Sequence, residues 1–188
     1  MGPAKFIVGI GGSAGGLVAY AALLDALPPH TGMAFVIVAH LMPSANSQLV
    51  QILSRHTKIK VMLAASDLTI RENHVYVIPP DADLRMERNV FKVVSPRTGR
   101  NKQIDLFLTS LAEAMGADAI GIILSGYDGD GTEGCRQIKA KGGTTFAQDM
   151  SADVEQMPRS AQASGSIDFV LSPKDIADEL QRLATCRS

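Results

Sequence analysis

From Phe6 to Leu24 the chain runs 19 residues without a charge, yet five of those residues are glycines. Length and apolarity alone would suit a membrane span or an export signal. The internal order argues against both. Phe6-Ile7-Val8-Gly9-Ile10 is an apolar, β-branched run, Gly11-Gly12-Ser13-Ala14-Gly15-Gly16 is a turn, and Leu17 to Leu24 is rich in Ala and Leu. That is the composition of a buried strand, a tight turn and a helix. The segment reads as a βα unit with no membrane insertion, and with only two cysteines, 51 positions apart, a reducing cytoplasm is the expected setting.

The same rhythm continues. Apolar runs at Phe35–Ala39, Lys60–Leu63, His74–Ile78, Ala119–Leu124, Thr144–Ala147 and Phe169–Leu171 read as further strands, most of them unbroken in the manner of a sheet covered on both faces. Between them, Leu49, Ile52, Leu53 and His56, then Ile104, Phe107, Leu108 and Leu111, then Ile176, Leu180 and Leu183, repeat at helical spacing. Leu84–Met86 and Val90–Val94 flank Glu87-Arg88-Asn89 and predict an antiparallel hairpin. Ser95 to Gln103 is polar and basic, a surface crossing. With 188 residues, 46% of them hydrophobic, the expected fold is one α/β domain: a doubly wound, mostly parallel sheet with the hairpin appended.

Charge and cysteine content narrow the function. Eighteen Lys and Arg against 19 Asp and Glu leave no positive field to hold a nucleic acid. Cys135 and Cys186 lie far apart with no Cys/His cluster, so neither a zinc site nor a disulfide framework is expected.

In an open parallel sheet, reactive groups gather beyond the carboxyl ends of the strands, and three positions there stand out. Ser13 sits in a G-x-S-x-G turn, which suits a nucleophile with amides nearby for an oxyanion, but Ser is also a common helix N-cap. Gly9-x-Gly11-x-x-Ala14 also meets the relaxed dinucleotide fingerprint; the acid that this fingerprint wants at the end of the second strand is missing, because that strand ends Val38-Ala39-His40. No Gly-Lys-Ser/Thr follows, which excludes a P-loop. His40 alone of the four histidines leaves an apolar strand at its carboxyl end, and adjacent strands about 5 Å apart would bring it beside Ser13. Ser125-Gly126-Tyr127-Asp128-Gly129-Asp130-Gly131 lacks the spacing of a calcium loop; one acid suits a turn or a helix cap, and the other could orient His40. The order Ser, His, Asp differs from that of the α/β-hydrolases.

Taken together, the segments Ile7–Gly16, Val38–Pro43, Asn73–Pro80, Gly121–Gly126 with Asp130-Gly131, Phe146–Asp149 and Met157–Ala161 resemble the catalytic domain of CheB-type chemotaxis protein-glutamate methylesterases, over nearly the whole chain. The resemblance implies a catalytic domain spanning residues 5–186 that hydrolyses glutamate methyl esters on the cytoplasmic helices of methyl-accepting chemoreceptors and deamidates selected glutamines. It implies Ser13 as nucleophile, His40 as general acid/base and Asp130 as the orienting acid, without metal or organic cofactor. Gly12, Ala14, Tyr127 and Met157 become candidates for the oxyanion and substrate region. Ala14 and Tyr127-Asp128 depart from the residues common in the family, and Asp128 adds a charge. A receiver domain is not expected within the chain; the likeness is to forms fused to a methyltransferase, so fused or separate methyltransferase and receiver domains are expected partners. Arg97, Arg100 and Lys102 are candidates for contact with acidic receptor helices. The competing expectations are a non-catalytic binding module of the same fold and a dinucleotide-binding domain.

Overall fold

The computed structural model describes residues 2–40 and 43–186, with side chains outside 41–47. Leu41 and Met42, within the Val38–Pro43 segment of the resemblance, therefore lie outside the described residues. Among the described residues, nine strands and six α-helices follow one another: β1 (Phe6–Gly12), α1 (Gly16–Ala26), β2 (Met33–Ala39), α2 (Pro43–Leu53), β3 (Lys60–Leu63), β4 (His74–Val77), β5 (Asp83–Glu87), β6 (Val90–Val94), α3 (Gln103–Met115), β7 (Ala119–Ile123), α4 (Thr132–Ala140), β8 (Thr144–Gln148), α5 (Gln156–Ala163), β9 (Phe169–Leu171) and α6 (Pro173–Cys186). Seven strands form a parallel sheet in the order β3-β4-β2-β1-β7-β8-β9.

Period-two alternation sorts each strand between two cores. Phe6, Val8 and Ile10 of β1 and Phe35 and Ile37 of β2 face Tyr20 and Leu23 of α1, Leu49 and Leu53 of α2, and Ile176 and Leu180 of α6. Ile7, Val36 and Val38 face the opposite way, toward Phe107, Leu108 and Leu111 of α3, Ile138 of α4 and Met157 of α5. Both faces are thus covered, which explains why the strands read as continuous apolar runs.

The expected hairpin forms, but it stands apart as a separate two-stranded sheet of β5 and β6. Leu84, Met86 and Phe91 bury against the α3 side, and the Met86 amide donates to Ser110 Oγ of α3 at 2.9 Å. The hairpin packs on a helix and is not paired with the seven-stranded sheet. Its buried Asp83 accepts from Thr98 N and Oγ1 and from Gln103 Nε2, three donors that hold its carboxyl below the usual range despite burial, and that pin the Ser95–Gln103 crossing to the start of α3.

The glycines of the dinucleotide fingerprint have a packing role. Gly9 and Gly11 lie within β1, where a Cβ would stand 2.5 Å from Leu108 Cδ2 and 2.4 Å from Ile104 Cγ2 respectively. They let α3 lie directly on the central strand. Gly11→Ala therefore forces Ile104 aside; the expected cost is about 1–3 kcal/mol, seen as a lower urea midpoint with an unchanged slope.

Strand order reverses between β1 and β7, whose outgoing chains lead to helices on opposite faces, α1 and α4. A crevice opens at such a point beyond the strand ends. The chain leaving β1 carries Ser13, the chain leaving β7 carries Ser125 to Asp130, and β2, beside β1, delivers His40.

Candidate active site

Ser13 follows β1 in a turn that reaches α1 through Gly15. Gly15 is the N-cap at φ 73°, with no side-chain cap, so the capping role open to Ser13 is not what its hydroxyl does. A Cβ at Gly15 would stand 2.5 Å from Ser125 Oγ, and the left-handed backbone favours glycine in any case. Ser125 organises this turn. Its carbonyl accepts from Ser13 N at 2.9 Å, its hydroxyl donates to Ala14 O at 2.7 Å and accepts from Val154 N at 3.0 Å, and its own amide donates to Gln148 Oε1 at 2.9 Å. All but the hydroxyl's contact with Val154 bear directly on the β1, β7 and β8 strand ends, so the half-buried Ser13 sits on a braced turn.

His40 continues β2. Gly12 and Ala39 are register partners, and His40 N donates to Gly12 O at 3.2 Å, which makes Ser13 and His40 the next neighbours along two adjacent strands. The His40 side chain is 8% exposed, and its Nε2 lies 2.5 Å from Asp130 Oδ2, whose side chain is fully covered. Because a carboxylate accepts, this bond selects the Nε2–H tautomer and leaves the Nδ1 lone pair for chemistry. No hydrogen bond joins Ser13 Oγ to His40 in this structure; such contacts commonly tighten only with substrate bound.

Asp130 has further partners. Ile104 N donates to its Oδ2 at 3.0 Å and Asp105 N to its Oδ1 at 2.8 Å. Those are amides of the first turn of α3, so a carboxylate from a distant loop does the work of a cap there. The sequence allowed one loop acid a capping role at the following helix, α4; Asp130 instead caps α3 while also holding His40. Asp128 serves the turn: at φ 67°, its Oδ1 accepts from Asp130 N at 2.9 Å, and its Oδ2 lies 3.8 Å from His40 Nδ1.

Among the oxyanion candidates, the Ser13 amide is committed to Ser125 O and the Gly126 amide to Val154 O. Neither Ala14 N nor Tyr127 N donates to a described residue; Ala14 follows Ser13 directly, and Tyr127 follows Gly126, where a Cβ would stand 3.0 Å from Ser13 Cβ. The Tyr127 side chain is exposed beside an open groove of about 770 Å³ lined also by Asp153, Glu155, Arg159 and Ser160. Met157 is fully buried, its Cε 2.9 Å from where a Gly126 Cβ would be, and its amide donates to Gly126 O; it supports the loop from behind. Gly12 closes β1 over Tyr20, whose buried hydroxyl would be 2.5 Å from a Gly12 Cβ. Arg97 pairs with Asp81 at 3.4 Å, and Arg100 and Lys102 are exposed before α3.

A serine on a braced turn, an imidazole on the neighbouring strand and a buried carboxylate on that imidazole suit acyl transfer. The family model for CheB methylesterase matches residues 8–180. The chain belongs to the CheB methylesterase family. The crystal structure of the Thermotoga maritima CheB methylesterase catalytic domain superimposes with a TM-score of 0.86 at 27% identity, covering 97% of this chain and 100% of that one. A protein-glutamate methylesterase/protein-glutamine glutaminase of Moorella thermoacetica is 31% identical over 191 aligned positions, covering 97% of this chain and 45% of that protein. A Leptospira interrogans relative, 34% identical over 178 residues, covers 93% of this chain and 92% of its own length, so CheB relatives of about this size occur. Among the described residues no helix is long and apolar enough to cross a membrane.

Proposed function

We propose that this CheB-family chain is a protein-glutamate methylesterase and glutaminase acting on the cytoplasmic helices of methyl-accepting chemoreceptors, with Ser13, His40 and Asp130 as its triad and residues 5–186 as its catalytic domain. The observation that carries the mechanism is the His40 Nε2–Asp130 bond at the strand next to Ser13. His40 Nδ1 takes the Ser13 proton as Oγ attacks the ester carbonyl, and the free amides of Ala14 and Tyr127 receive the oxyanion. Collapse of the tetrahedral intermediate returns the proton from Nδ1 to the departing methoxide, which leaves as methanol. Water, deprotonated by the same nitrogen, then frees the glutamate carboxylate and regenerates Ser13. With a glutamine substrate the same steps release ammonia.

The competing readings lose their support. Gly9 and Gly11 are covered by α3, so they are not placed to cradle a pyrophosphate. A binding module has no need of a fully covered carboxylate on an imidazole at the sheet's crevice. The test is methanol release from methylated receptor helices; release at a rate no greater than the uncatalysed one, with the protein folded, would refute the proposal. Asp128→Asn separates the two loop acids. Asn keeps the left-handed backbone and the acceptor for Asp130 N, so turnover should fall less than about tenfold, far less than for Asp130→Asn.

A further inference from the structure

The starts of α3 and α4 exchange carboxylates. Asp130, just ahead of α4, accepts from the amides of Ile104 and Asp105 in the first turn of α3. Asp105, in that same turn, accepts at its Oδ1 from the amide of Gly134 in the first turn of α4 at 2.8 Å. Neither helix has a side-chain cap at its own N-cap position, Lys102 for α3 and Gly131 for α4. Each is capped by a residue at the threshold of the other. Among the described residues no cation pairs with Asp105; burial, with a smaller push from the neighbouring Asp130 charge, raises its carboxyl above the usual range, against the pull of the Gly134 amide and, more weakly, of the Gly131 and Glu133 amides.

We infer that Asp105 is a positioning residue for the reaction, acting through Asp130. The inference rests on the triad proposed above. Asp130 must satisfy two bodies together, the amides of α3 and the ring of His40. Its backbone is anchored to the start of α4. If α4 drifts from α3, Asp130 keeps either the helix amides or the imidazole in good geometry, and not both. The Asp105 carboxylate is the strut against that drift. The helices are already in near contact there, since a Cβ at Gly134 would stand 2.5 Å from Leu108 Cβ, so a strut of the right length holds a stiff joint.

The experiment compares Asp105→Ala, Asp105→Asn and Asp105→Glu in the full chain. Steady-state methanol release from methylated receptor helices is measured together with the proton resonance of His40 Nε2–H, which a short bond to a carboxylate moves far downfield. Asp105→Ala should lower kcat by about 10- to 100-fold with KM within about twofold, and move the ring-proton resonance upfield. Asp105→Asn keeps an acceptor of the same length, and should recover kcat to within about threefold with the resonance restored. A parental kcat and an unmoved resonance in Asp105→Ala would overturn the inference, as would equal losses in the Ala and Asn variants. If Asp105→Ala does not fold, Asp105→Glu decides: its longer arm should cost kcat and not KM, and a parental kcat would refute the strut. Asp130→Ala serves as reference. Full turnover in that variant would count against the triad itself, whereas loss there with no effect at Asp105 would count against the strut alone.

Discussion

Ser13→Ala should lower methanol release by on the order of 10³-fold or more while leaving the fold intact. The hydroxyl neither caps α1 nor holds the turn, which is braced by the Ser13 amide and by Ser125. Its loss removes the proposed nucleophile and little else, so the thermal midpoint should stay within a degree or two of the parent's by the usual scale for surface-like substitutions, about ±0.5 kcal/mol. The amides proposed to receive the oxyanion remain in the variant, and some turnover above the uncatalysed rate should remain with them. Methyl-ester hydrolysis at the parental rate by folded Ser13→Ala would remove this serine from the mechanism.

Asp130→Asn should be equally severe by a different route, with kcat down by roughly 10⁴-fold. Oδ2 of Asp130 serves both His40 Nε2 and Ile104 N, while Oδ1 serves Asp105 N. An amide cannot accept at both ends. Either its NH2 faces Ile104 N–H, donor against donor, or it faces Asp105 N–H in the same way. When the NH2 lies toward His40, the ring must present Nε2 as acceptor, which places the proton on Nδ1 and leaves no base for Ser13. The same variant should lose about 1–2 kcal/mol of stability, because one amide at the start of α3 is left without its acceptor. Chemical denaturation and turnover, measured on one preparation, report the two losses separately. Parental stability would mean that the cap contributes nothing.

Much of this was legible in the sequence. β1, β2 and β7 are continuous apolar runs, and Ser13, His40 and the Gly126–Gly131 loop sit where such strands must end. The helix over residues 103–115 follows from Ile104, Phe107, Leu108 and Leu111 at regular spacing. Less legible was what bridges elements. That Asp130 caps α3 depends on the arrival of a helix 25 positions upstream of it, and no local pattern announces that. Asp105 reads as an ordinary first-turn acid, favoured by the helix dipole, until α4 is placed against it. Ser125 follows β7 and Gln148 closes β8, polar residues at the ends of apolar strands, the one signal in the sequence that marks them as braces. Gly9 and Gly11 carried a real signal whose meaning changed once Ile104 and Leu108 were seen above them. The hairpin's seat on α3 was hidden because its two-residue alternation fits a sheet or a helix surface equally well.

The strand order also has a bearing on how the protein comes into being. Ser13 and His40 belong to a single β1-α1-β2 unit, formed from the first forty residues, whereas the acid that holds His40 lies 90 positions further along. A growing or partly refolded chain can therefore set serine beside imidazole long before the imidazole has a fixed tautomer. In the proposed triad, Ser13 has an oriented base only when β7 has docked on the far side of β1 and α3 lies over both. On the proposed mechanism, methanol release during refolding should therefore return with the docking of β7 and α3, later than the pairing of β1 with β2.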